Sequence, residues 1–174
     1  MIKKKELNLY KNLSMSKKKK IGAAVLIILI AIQWIRPSKN TNTNELEDDI
    51  TVSMQVPKEI VTVLKTSCYD CHSNNTNDMW YMNVQPIGWW IKHHINEAKE
   101  ELNFSEFANY SLKRKAHKME EIADEVKENE MPLSSYTLMH GNAKLSSEQR
   151  KLLVDWAMNE YKVLKENNNE EERN

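Results

Sequence analysis

The sequence predicts an all-α fold, a small helical domain preceded by a single N-terminal apolar helix. Three observations carry this. The 174-residue chain has only three Gly and four Pro and is rich in Lys, Glu, Leu and Met, a composition that favours helix over strand. Apolar residues recur at helical spacing in four separate stretches, and no run alternates in the manner of a strand. One fifteen-residue apolar stretch follows directly on a block of four lysines.

The N-terminal element comes first. Residues 1–20 carry eight Lys and one Glu, whereas from Asn40 onward fifteen Lys and Arg face twenty-four Asp and Glu. A nucleic-acid-binding domain would place its excess positive charge on the folded part, so this pattern excludes nucleic acid as a partner. It fits a chain oriented across a membrane. Between Lys20 and Arg36 runs IGAAVLIILIAIQWI. As a helix it covers roughly 22 Å of a hydrocarbon core about 30 Å thick, short unless the preceding lysines snorkel. Trp34 sits where an interfacial aromatic belongs, and Lys17–Lys20 stay cytoplasmic by the positive-inside rule. The expectation is a basic cytoplasmic segment over 1–20 and a transmembrane signal anchor over 21–36. A cleaved signal peptide is the competing reading, although no small-x-small site follows the apolar run. Either way the rest of the chain is exported.

Residues 37–54, rich in Asn, Thr, Ser and acids, read as a polar linker, and 166–174 as a charged tail. The domain between them, 55–165, reads as four helices. The first opens at Pro57 and buries Ile60, Val61, Val63 and Leu64. It stops at a cysteine motif followed by the Asn-rich turn SNNTND. The second opens at Pro86, with Ile87, Ile91, His94, Ile95, Ala98 and Leu102 on one face. The third carries Leu112, Ala116, Met119, Ile122 and Val126. Ser146 with Gln149 forms a capping box that starts the fourth, through Leu152, Leu153, Trp156 and Tyr161.

The chemistry is concentrated in Cys68-Tyr69-Asp70-Cys71-His72, which holds both cysteines of the chain. The C-x-x-C-H pattern is that of covalent haem attachment. Two thiols at this spacing reach the two porphyrin vinyl groups, and the next residue, His72, supplies the proximal iron ligand. A redox dithiol would expect a strand before the motif, and here a helix precedes it. A zinc site needs four ligands, and no second pair has the spacing. A structural disulfide across two residues closes too small a loop to stabilise much.

Candidates for the distal iron ligand are Met131, His140, His94, His93, His117 and Met119. Met131 leads because Pro132 ends any helix there and presents the thioether on a loop. His140, before Gly141, is the alternative. Met119 reads as a core filler, and His93 and His117 as exposed. Trp80, Tyr81, Trp89, Trp90 and Tyr136 could wall a porphyrin or simply pack, and Lys113 and Arg114 could meet its propionates.

The order of these features resembles the class I cytochromes c, in which a helix leads into C-x-x-C-H and a Met-Pro loop precedes a C-terminal helix. More closely, VLKTSCYDCHSNNT, QPIGWWIKHHI, ELNFSEFANYSLKRKAHKMEEI, EMPLSSYTLMH and LSSEQRKLLVDWA resemble the haem-binding domain family of membrane-tethered bacterial proteins, over roughly Val56 to Lys162. The resemblance implies a cytochrome c-like helical domain around one covalent haem c, with thioethers at Cys68 and Cys71 and His72 as proximal ligand. Met131 carries over from its Met-Pro context. The implied role is one-electron transfer with an unknown redox partner protein, on the periplasmic face of the bacterial inner membrane and without enzymatic activity of its own. A haem-based sensor or peroxidase-like domain with an open distal site is the alternative, and a zinc or disulfide module a further one.

Overall fold

The computed structural model describes residues 16–42 and 47–173. Most of the expected basic segment, part of the expected linker and Asn174 lie outside the described residues. Among the described residues every regular element is helical, as the composition predicts. They belong to two compact units, Met1–Ser38 with Met79–Lys92, and Lys39–Asp78 with His93–Asn174.

In the first unit, α1 runs Lys17–Ala31, capped by the Ser16 hydroxyl, and tightens into a 3₁₀ turn at Ile32–Trp34. Its side chains are exposed on every face, with Ile21, Leu26 and Ile28 among the most open. Only eleven of its residues follow the lysine block before the turn begins. Among the described residues no helix is long and apolar enough to cross a membrane. The spanning helix expected over 21–36 is therefore not supported, because the α-conformation ends at Ala31, well inside the apolar run.

The second unit holds the core. α2 (Ile50–Ser53), α3 (Lys58–Ser67) and α4 (Tyr69–His72) precede the motif's loop; α5 (Ile87–Glu101), which begins in the first unit, enters at His93. Then come α6 (Leu112–Glu128), α7 (Ser134–Met139) and α8 (Ser147–Glu171). The most extensive pairing is between α6 and α8, and α3 packs on α8. Ile60, Leu64, Phe104, Phe107, Met119 and Leu153 close the core between them. The capping box at Ser146 and Gln149 forms as expected, and Ser111 caps α6. Phe107 is fully buried, so Phe107→Ala should lower stability by about 3–5 kcal/mol in urea denaturation, the ordinary cost of an aromatic-sized cavity.

The structure departs from expectation in three places. Pro57 caps α3 from outside, and the helix begins at Lys58. The linker expected over 37–54 is built into the second unit on both sides of 43–46. Ile50 is fully buried, and the buried Asn40 donates to Ser73 O and Thr76 Oγ1 at 2.8 and 2.9 Å. Asp49 Oδ1 accepts from Thr51 N and from the Tyr69 hydroxyl. These polar residues look like tether because their partners are far away in sequence. Finally, α8 continues to Glu171 through the expected tail, since the Glu- and Asn-rich run contains neither Gly nor Pro to stop it.

Candidate functional site

The site is built on the end of α3. Cys68 caps that helix, and the motif continues as the single helical turn of α4, which sets the two cysteines one turn apart. A cavity of about 460 Å³ opens beside them, a size typical of small-molecule and cofactor sites. Cys68, Cys71 and His72 line it together with Met131. Four residues singled out from the sequence, separated by up to sixty-three positions, thus line one cavity. Leu64, Leu102, Phe104, Ile122, Val126 and Leu153 supply its apolar surface.

The imidazole of His72 is fixed by backbone carbonyls at the end of α5. Its Nδ1 lies 3.1 Å from both Ala98 O and Leu102 O, where α5 ends. Carbonyl oxygens only accept, so Nδ1 carries the proton and Nε2 keeps the lone pair. A backbone carbonyl holding the other ring nitrogen is the usual way a metal-ligating histidine is oriented. Burial also pushes the His72 pKa below its ordinary value, which keeps the ring neutral and competent as a ligand.

Both cysteines are free thiols. Burial, and for Cys68 also the neighbouring Cys71, pushes the Cys68 thiol up to about 12. Burial and the charge of Asp70 push Cys71 up to about 11. A redox dithiol needs a depressed value to supply thiolate, so this environment does not favour one. Among the described residues no three His, Cys, Asp or Glu side chains gather to hold a metal ion, which leaves the zinc alternative without a ligand set.

The Met131 side of the cavity comes from the turn after α6. Asn129 adopts a left-handed conformation at φ 66°, and the amides of Glu130 and Met131 both donate back to Glu125 O. That wrap carries Met131, Pro132 and Leu133 to the cavity. The Asn129 turn is what delivers the methionine, and the Asn-Glu-Met-Pro sequence held that signal. A further tie joins α7 to the cysteine motif. The Tyr136 hydroxyl donates to Asp70 Oδ2 at 2.6 Å, and Asp70 Oδ1 accepts from Asn77 N and Nδ2 at 2.9 Å. Asp70 lies between the cysteines, so this one carboxyl links motif, Asn-rich loop and distal segment. Tyr136→Phe should cost about 1–3 kcal/mol of stability, read by chemical denaturation.

The other candidates, His94 excepted, lie away from the cavity. Met119 is fully buried in the core. His140 ends α7, its ring 4.3 Å from that of Tyr136, and is not part of the cavity wall. His93 pairs with Glu97 and His117 with Glu121, both on exposed faces. His94 does line the cavity, with Nδ1 at 3.2 Å from Glu97 Oε2. Of the five aromatics singled out from the sequence, Tyr136 lines the cavity; Trp80, Tyr81, Trp89 and Trp90 belong to the first unit. Arg114 stacks on Tyr110 at 3.9 Å, and neither it nor Lys113 reaches the wall. The sequence reading missed four carboxylates on the wall, Glu97, Glu101, Glu121 and Glu125, of which Glu101 and Glu121 share Lys118. Their spacing of four within α5 and within α6 was the legible signal.

A family model for a haem-binding domain matches residues 27–159. No curated protein and no solved structure matches the chain.

Proposed function

The chain belongs to the haem-binding domain family, and on that premise we propose that it is a c-type haem protein, tethered to a membrane by its N-terminal segment, that carries single electrons. The observation that carries this reading is the cavity shared by Cys68, Cys71, His72 and Met131. Cys68 and Cys71 would hold the porphyrin as two thioethers, each S–H adding across one vinyl group with sulfur on the inner carbon and hydrogen on the outer one. His72, its tautomer set by the carbonyls of Ala98 and Leu102, would supply Nε2 to the iron. Met131 would supply its thioether as the second protein ligand. When bound, haem contributes reversible Fe(III)/Fe(II) exchange, and Met/His ligation raises its potential.

The remaining residues follow from this. Leu64, Phe104, Ile122 and Leu153 exclude water from the site. Among the described residues no Lys or Arg lines the cavity. The carboxylates of Glu97, Glu101, Glu121 and Glu125 give the opening a negative potential, which steers a partner with a basic contact surface. Export to the periplasmic side of a bacterial inner membrane fits the lysine block ahead of α1.

A second reading has an observation of its own: His94 also lines the cavity and would give bis-histidine ligation. Protein made with a cytochrome c maturation system tests both. Intact mass should exceed that of the polypeptide by one haem, and oxidised protein should show the weak near-infrared sulfur-to-iron band. An unchanged mass overturns the covalent reading. A low-spin spectrum without that band assigns the distal position to His94.

A further inference from the structure

The first unit has a composition unlike the rest of the chain. Its described residues, 16–38 and 79–92, contain six Lys and Arg and no Asp or Glu, and they hold four of the five Trp. Three of these are open to solvent, Trp34 at 77%, Trp80 at 73% and Trp90 at 55%, and Ile87 and Val84 are exposed beside them in sequence. A basic, acid-free, Trp-rich apolar surface is what an anionic bilayer interface selects. The acidic second unit has the opposite character.

The backbone carries a second, independent signal. In lipid every carbonyl left over at a helix end needs a donor. Here Gln33 Nε2 donates to Leu29 O at 2.8 Å and to Gln85 O at 3.0 Å, while Gln33 Oε1 accepts from Gln85 N at 2.9 Å. Trp89 Nε1 donates to Ile35 O at 2.8 Å. The segment around Gln85 is thus docked on the end of α1, and it satisfies groups there that water would otherwise serve. The close fold of that segment depends on Gly88, where a Cβ would stand 2.1 Å from Met82 O. α1 alone is too short to cover a hydrocarbon core. The docked segment adds indole and aliphatic surface at the Trp34 end, where length is lacking.

We propose that Met79–Lys92 is a second membrane-contacting segment, held against the end of α1 by Gln33 and Trp89 and seated in the headgroup layer through Trp80, Ile87 and Trp90. This rests on the tether reading above, and it makes the membrane hold the chain at two places separated by the haem motif in sequence. The test uses full-length haem-loaded protein in vesicles of phosphatidylcholine and phosphatidylglycerol containing a phospholipid with a photoreactive diazirine near the glycerol. After irradiation and digestion, label is expected in peptides from both 17–36 and 79–92. Label confined to 17–36 overturns the proposal and leaves the tether standing, as it would if this surface served a protein partner. Label in neither overturns both. Gln33→Ala should reduce label in the 79–92 peptide several-fold while that in 17–36 persists; an unchanged yield overturns the docked arrangement.

Discussion

Replacing Cys68 and Cys71 together by Ala abolishes covalent haem. These are the only cysteines in the chain, so no other side chain can form the thioethers. Both line the same cavity as His72, and the substitution leaves the His72 clamp to Ala98 and Leu102 in place. Haem is then retained only by coordination and apolar contact. On a denaturing gel the wild-type band is expected to keep its haem stain after boiling, and the double variant to lose it completely. Acidified ketone extracts the haem from the variant and not from the wild type. A variant that still stained would place the attachment elsewhere and end the c-type reading. His72→Ala makes the complementary change, with thioethers intact and the low-spin spectrum gone.

Met131→Ala has the second-largest expected effect. The Asn129 turn places Met131 on the cavity wall, and truncation to Ala removes the sulfur without disturbing the helix end that positions it. The near-infrared band disappears, carbon monoxide binds the reduced protein, and the reduction potential falls. Axial ligands command a range of roughly 0.8 V, and loss of a methionine sulfur takes a sizeable part of it. Spectroelectrochemical titration of both proteins measures the difference. If Met131→Ala changes nothing and His94→Ala abolishes the six-coordinate spectrum, the distal ligand is His94. The two variants therefore separate ligands that line one cavity.

The parts of this molecule that were legible in the sequence are those governed by near neighbours. The thiol spacing of Cys68 and Cys71 and the position of His72 are local, and so are the caps at Ser111 and Ser146 and the apolar period of α6 and α8. The chain partners of Asn40, Asp49 and Ile50 are distant, so these residues read as tether and proved to be structure. The tryptophans read equally as porphyrin walls or as ordinary packing, because an aromatic's burial cannot be inferred from its type, and Trp80 and Trp90 proved exposed.

By itself, then, the sequence determined that the chain is helical, that one short segment carries every thiol and an adjacent imidazole, and that a basic apolar head precedes an acidic body. Only the tertiary structure decided that Met131 and His94, among six candidates, line the cavity, that carbonyls from α5 fix the His72 tautomer, and that Tyr136 ties α7 to Asp70. The reason is physical. Helix caps and motif spacings depend on groups within about four residues of one another, whereas a cavity exists only where elements far apart in sequence fail to fill the space between them.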